Sequence, residues 1–123
     1  DHPTARRWLT TALSGSETVG FAWVVLLAFL RVATLRAAFA HPLSVDQATA
    51  VSRNWIEAPA TVLVSPVPRH LETLAALLAE TGSAGNLVTD CHLAALALEL
   101  GATVVTFDAD FGRFRGLHTI RPD

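Results

Sequence analysis

Residues 86–111 read NLVTDCHLAALALELGATVVTFDADF and carry the clearest signal of the fold class. Residues 86–100 are apolar on nearly every side and stop at Gly101, so they predict a buried helix. Residues 102–107, ATVVTF, are rich in β-branched side chains and predict a buried strand. A buried helix followed by a short buried strand is the building unit of a parallel α/β sheet.

The rest of the chain continues this alternation. Helices are predicted at 3–14, 23–37, 44–57 and 69–81, strands at 18–21, 61–65 and 117–121, and a polar loop at 108–115. The 44–57 helix begins with a capping box, Ser44 followed by Gln47. We expect the 23–37 helix to be largely buried. The 69–81 helix is expected to pack through one apolar face made of Leu71, Leu74, Ala75 and Leu78.

Composition limits the classes of function. The 123 residues are 51% hydrophobic with a formal net charge of -2, which excludes a basic surface that binds nucleic acid all round. The longest apolar run, 19–30, is shorter than the ~20 residues of a membrane span, so we expect no membrane segment. A single cysteine, Cys91, fits the reducing cytoplasm and a buried thiol. No repeat or linker divides the chain, so we expect one domain over 1–123.

Three aspartates mark the candidate site. Asp108 and Asp110 directly follow the 102–107 strand, at the edge where sites form in parallel sheets. Asp90 lies in the first turn of the preceding helix. Singly, each fits a turn or a helix start. Together, converging carboxylates suit Mg²⁺ or Mn²⁺. Residue His92 should point away from Asp90 and have a protein partner, and the five histidines lack zinc-site spacing.

Two strings carry a family resemblance. Residues 86–97 (NLVTDCHLAALA) and 101–111 (GATVVTFDADF) resemble the corresponding segments of the VapC-type PIN-domain toxins, in a branch common in mycobacteria. Residues 23–32 and 41–45 also resemble that branch. The resemblance covers essentially the whole chain and implies a three-layer α/β/α sandwich with a mostly parallel central sheet. It also implies a ribonuclease that uses Mg²⁺ or Mn²⁺, the toxin of a type II toxin–antitoxin pair.

The resemblance assigns roles residue by residue. Asp90 and Asp108 match family acids that hold the metal, and Asp110 matches the accessory acid of the D-x-D pair. Thr89 and Thr106 match residues that support the carboxylates, and Asn86 is expected to support them or to contact substrate. The implied partners are a VapB-type antitoxin, RNA and a second copy of the chain, which would pair through helices carrying Trp8 and residues 23–30.

The chain departs from the family pattern in two places. The first family acid lies on an N-terminal strand that is absent here, and Met is absent too, so we expect the chain to be N-terminally incomplete. The neighbouring strands would then lack a central partner. The second family acid corresponds to Ala28. A catalytically impaired module that binds antitoxin or RNA therefore stays open as an alternative. An α/β phosphatase or receiver domain is disfavoured because the chain has no lysine.

Overall fold

Helices and strands alternate along the chain. The structure is a computed structural model that describes residues 2–35, 41–82 and 87–122. Its helices are α1 (His2–Leu13), α2 (Trp23–Thr34), α3 (Val45–Glu57), α4 (His70–Thr81) and α5 (Val88–Leu100). Its strands are β1 (Val19–Ala22), β2 (Thr61–Val64), β3 (Thr103–Val105) and β4 (His118–Ile120). The predicted order is confirmed, but part of the predicted loop at 108–115 is a 3-10 helix, Ala109–Arg113.

The chain divides into two units. Residues 9–64 form the N-terminal unit, and residues 1–8 with 65–123 form the C-terminal unit. In the N-terminal unit, β1 pairs with β2 in parallel, Val19 opposite Thr61. Ser44 and Gln47 form the predicted capping box at the start of α3. The ring of Trp55 on α3 lies 5.8 Å from Phe21 and 4.5 Å from Phe29.

Helix α2 is less buried than its hydrophobicity predicts. Only Leu26 and Ala33 are buried, whereas Trp23 and Leu27 are 53% and 58% exposed. The prediction of a largely buried helix is therefore wrong, because α3 and β1 cover only part of the α2 surface. The helix also ends at Thr34 rather than at 37, with Leu35 in an extended conformation.

Helix α5 forms the core of the C-terminal unit. Its buried residues are Cys91, Ala94, Ala95, Leu96 and Ala97. Most of these side chains are small, which allows close packing. Leu77 of α4, Val104 of β3, Phe111 and Phe114 complete this core. The predicted buried thiol at Cys91 is confirmed.

Two predicted apolar faces in this unit are corrected. Helix α4 packs Leu74 and Leu78 against the core as predicted and also buries Leu77. Leu71 and Ala75, which belong to the predicted face, are instead exposed, Leu71 by 74%. Strand β3 buries only Val104, because it pairs with a single strand, β4, in the described part of the chain.

The α/β fold class with parallel strands is confirmed. The described strands form two parallel pairs, β1 with β2 and β3 with β4. No helix in the described ranges has the length and hydrophobicity that crossing a membrane requires. The candidate site residues Asp90, Asp108 and Asp110 all lie in the C-terminal unit.

Candidate functional site

The carboxyl end of β3 is held rigidly. The Thr106 backbone N–H donates to the Ile120 carbonyl at 3.0 Å, which extends the pairing with β4. The Asp108 N–H then donates to the Thr106 hydroxyl at 2.9 Å. The Thr106 hydroxyl therefore contacts the Asp108 backbone N–H, and its role in supporting the carboxylates stays a prediction.

Asp108 begins the 3-10 helix. One carboxylate oxygen, Oδ1, accepts the Asp110 N–H at 2.8 Å, as in an Asx turn. The turn and the site are thus compatible, because capping occupies one oxygen and fixes the direction of the other. Both Asp108 and Asp110 are exposed.

Asp90 lies within electrostatic range of Asp108 and Asp110. Burial raises the pKa of the Asp90 carboxyl, and repulsion from Asp108 raises it further. Arg113 acts in the opposite direction, and Asp110 adds a smaller increase. Asp108 and Asp110 are therefore close enough to Asp90 for their charges to act on it, and the three are called the acid cluster.

Two arginines at this edge were missed by the sequence analysis. The Arg113 Nε donates to the Asp110 carbonyl at 3.0 Å, and its guanidinium lies 3.4 Å from the Asp110 carboxylate. Arg121 donates to the Phe107 carbonyl at 2.9 Å and stacks over the Phe107 ring. The spacing from Asp110 to Arg113, one turn, is a signal that could have found the first. No local signal marks Arg121, which is 14 residues from Phe107.

The other predicted residues lie apart from these contacts. Thr89 is exposed in the same turn as Asp90, and it has no hydrogen bond to the acid cluster within the described ranges. Asn86 lies outside the described residues. Ala28, which the resemblance matches to a family acid, is exposed on α2. The supporting roles of Thr89 and Asn86 stay predictions.

His92 belongs to a separate polar cluster. Its Nδ1 lies 2.8 Å from His70 Nε2, and His70 Nδ1 lies 2.8 Å from the Glu99 carboxylate. Burial and the neighbouring His70 lower the pKa of His92, with Glu99 opposing them. The prediction that His92 has a protein partner is confirmed. His70, His92 and Glu99 are named the histidine cluster below.

The acid cluster offers ligands for a small divalent cation. In residues 2–35, 41–82 and 87–122, no three His, Cys, Asp or Glu side chains are grouped so as to hold a metal ion. Mg²⁺ needs fewer, because it is bound through one or two carboxylates and keeps several waters. Asp90 and Asp108 fit that requirement, since both provide oxygen ligands and their mutual repulsion would be relieved by a cation.

Comparison with known proteins identifies the family. The PIN domain model matches residues 1–117. The chain is a PIN-domain protein. It is 49% identical over 121 residues to "Ribonuclease VapC37" of Mycobacterium tuberculosis H37Rv, with 98% of this chain and 84% of that protein covered. It is 36% identical to "Ribonuclease VapC33" of M. tuberculosis CDC 1551, covering 98% and 85%. The predicted VapC-type, mycobacterial resemblance is confirmed.

A solved structure supports the fold of this PIN domain. The crystal structure of VapBC2 from Rickettsia felis bound to a DNA fragment from their promoter contains a chain that matches with a TM-score of 0.69. The match covers 98% of this chain and 86% of that one, at 17% identity. At this identity the likeness concerns the fold alone, and it agrees with the predicted PIN-like α/β architecture.

Proposed function

We propose that this PIN domain is a divalent-metal-dependent endoribonuclease, the toxin of a VapBC-type pair that acts in the cytoplasm. The observation that carries the proposal is the electrostatic coupling of Asp90 with Asp108 and Asp110 at the carboxyl end of β3. Like charges held together are costly to the fold and typical of functional sites. The names of the mycobacterial relatives support ribonuclease activity.

Asp90 and Asp108 would hold Mg²⁺ or Mn²⁺. The bound metal would supply an activated water and stabilise charge at the phosphodiester. Asp108 has one oxygen fixed by the Asp110 N–H, so its other oxygen faces a defined direction. Asp110 adds negative charge beside the pair and assists catalysis. The Thr106 hydroxyl accepts the Asp108 N–H and would support that carboxylate from its backbone. Thr89 would support the carboxylates too, and Asn86 would support them or contact substrate.

The PIN domain would have protein partners as well as RNA. A VapB-type antitoxin would fill the acidic site with its C-terminal segment, and an arginine of that segment would pair with Asp90 and Asp108 in place of metal. A second copy of the chain would pair through exposed apolar residues of α2, and the helix that carries Trp8 is a second candidate for this contact. Trp23 and Leu27 are more than half exposed on α2, which supports an interface.

Cleavage of total cellular RNA tests the activity. We expect discrete fragments with Mg²⁺ or Mn²⁺ and none with EDTA. Asp90→Asn and Asp108→Asn should each lower the cleavage rate by about 100-fold or more, the scale of losing a group that stabilises developing charge. Asp110→Asn should have a smaller effect. The matched control is Asp46→Asn, which neutralises an exposed aspartate in the first turn of α3.

The second candidate is an impaired module that binds RNA or antitoxin. The observation that favours it is Ala28, where the family has an acid. Such a module would retain labelled RNA in a binding assay but yield no metal-dependent fragments. Wild-type cleavage that persists unchanged in Asp90→Asn would contradict the proposed active site.

A further inference from the structure

Arg113 lies beside the acid cluster and is the one cation with an ion pair to it in the described residues. We propose that Arg113 alternates between two partners, Asp110 in the metal-free protein and a phosphate of the RNA substrate once the metal is bound. The inference rests on the proposed nuclease function and assigns a substrate-binding residue to the same site.

The geometry places the guanidinium for this role. Arg113 Nε is bonded to the Asp110 carbonyl at 3.0 Å, and a terminal nitrogen lies 3.4 Å from the Asp110 carboxylate. The first bond holds the side chain against the 3-10 helix. The second contact is long for an ion pair, and the Asp110 side chain is 69% exposed, so the pair is weak and easily exchanged.

The charge of Arg113 reaches beyond Asp110. It also lowers the pKa of Asp90, which the other acids and burial raise. Arg113 therefore lies within electrostatic range of Asp90 on α5 and is also in contact with Asp110.

The other arginines of this region are not placed in this way. Arg121 is bonded to the Phe107 carbonyl and stacked on its ring. Arg115 is exposed and has no hydrogen bond or ion pair in the described parts of the chain. Arg115 is two residues from Arg113 and carries the same charge, so it provides a matched control.

A divalent cation changes the balance at this position. Mg²⁺ or Mn²⁺ bound by Asp90 and Asp108 would repel a guanidinium that lies beside the same acids. An RNA phosphate that approaches the metal would bring negative charge to this point. A guanidinium donates through a planar fork that can bind two phosphate oxygens at once, whereas Arg113 meets the exposed Asp110 carboxylate through a single contact of 3.4 Å.

Mn²⁺ binding tests the first half of the exchange. Isothermal titration should show that Arg113→Gln binds Mn²⁺ about threefold more tightly than wild type, because the competing cation is gone. Arg113→Lys, which keeps the charge, should stay near wild type. Arg115→Gln should also stay near wild type. Circular dichroism confirms that each variant is folded.

RNA binding tests the second half, with the opposite sign. The probe is a short fluorescein-labelled RNA of mixed sequence with Ca²⁺, checked on a gel for intact RNA. Arg113→Gln should bind it less tightly and lower the slope of log affinity against log salt by about 0.7, the value of one phosphate contact on a single strand. Arg113→Lys should bind less tightly than wild type because it lacks the fork. Arg115→Gln should keep the wild-type slope.

The outcomes separate this inference from the function on which it rests. In one outcome, wild type binds Mn²⁺, Asp90→Asn does not, and Arg113→Gln behaves like Arg115→Gln in both assays. This outcome would overturn the role of Arg113 but leave the proposed function intact. No Mn²⁺ binding by wild type would overturn the proposed metal-dependent function and the inference with it. Tighter Mn²⁺ binding together with weaker RNA binding in Arg113→Gln is the result we expect.

Discussion

Helix α5 carries two groups of charged side chains with opposite character. Glu99, near its end, is 8% exposed and contacts His70, which contacts His92 in turn. Asp90, in the first turn of α5, has two further carboxylates as neighbours, and among the described residues Arg113 opposes their effect on its pKa. The histidine cluster gives a buried carboxylate a hydrogen-bond partner, whereas the acid cluster brings like charges together.

This difference separates stability from function. A buried carboxylate that keeps its partners holds α4 against α5, and removing a partner leaves an uncompensated charge. Carboxylates that repel one another do not stabilise the fold. They are retained where a cation or a phosphate completes the site. The predictions below test this division, beginning with the largest expected effect on stability.

Glu99→Gln should cost the most. Replacing the carboxylate with an amide weakens its buried hydrogen bond with His70, and we expect the free energy of unfolding to fall by about 2 kcal/mol, the scale of a hydrogen bond to a charged group. Urea unfolding followed by circular dichroism measures it. The control is Glu80→Gln, an exposed glutamate of α4. Equal losses in both variants would refute a structural role for the histidine cluster.

The pH dependence of stability should reveal His92. Its pKa is lowered in the fold from the ordinary value of 6.5, so the folded state favours the neutral ring. The contribution to stability is therefore present above pH 6.5 and lost as the pH falls through the folded pKa. We expect thermal unfolding scans to show a decline below pH 6.5 that is smaller than the loss in Glu99→Gln.

A matched pair of variants assigns this decline. His92→Asn should flatten the profile between neutral and acid pH, because the titrating ring is removed. His118→Asn changes an exposed histidine of β4 and should leave the profile as in wild type. A profile that His118→Asn flattens and His92→Asn does not would contradict the assignment.

The two clusters also differ in how far sequence could predict them. Asp108 and Asp110 follow a recognisable strand, and topology places the start of α5 beside that strand end, so the acid cluster was predictable. His70 is 22 residues from His92 and 29 from Glu99. The hydrophobic pattern of each helix does not show which side chains of α4 and α5 meet. The sequence therefore predicted a partner for His92 without identifying it.

Burial shows the same limit in the fold. The start of α3 was predictable because a capping box is a local contact between Ser44 and Gln47. The exposure of Trp23 and Leu71 was not predictable. Hydrophobicity shows that burying a side chain is favourable, but it does not show which neighbour covers it. Local interactions were therefore predicted well, and packing between elements less well.

Asp90→Asn should stabilise the fold at neutral pH. The pKa of Asp90 is raised, so its contribution to stability is present below its ordinary pKa and lost as the pH rises through the folded value. Removing the charge should gain about 0.5 kcal/mol at pH 7, the size of one charge interaction near the surface, and nothing at acid pH. Thermal unfolding at both pH values measures this gain.

Asp46→Asn is the control for this variant. Asp46 also lies in the first turn of a helix, α3, so its replacement loses the same favourable interaction with the helix dipole. It has no acid cluster to relieve, and we expect it to leave stability unchanged or slightly lower at pH 7. A gain of equal size in both variants would show that repulsion within the acid cluster is not the cause.

The smallest effect should come from an exposed ion pair, in contrast to the buried contact between Glu99 and His70. Arg69 and Glu72 are 3.2 Å apart at the start of α4, with side chains 85% and 72% exposed. Water already solvates both charges, so Glu72→Gln should cost about 0.3 kcal/mol or less. Urea unfolding beside Glu99→Gln measures both. If the two losses were similar, burial would not explain the strength of the histidine cluster, and its two histidines would have to act through packing instead.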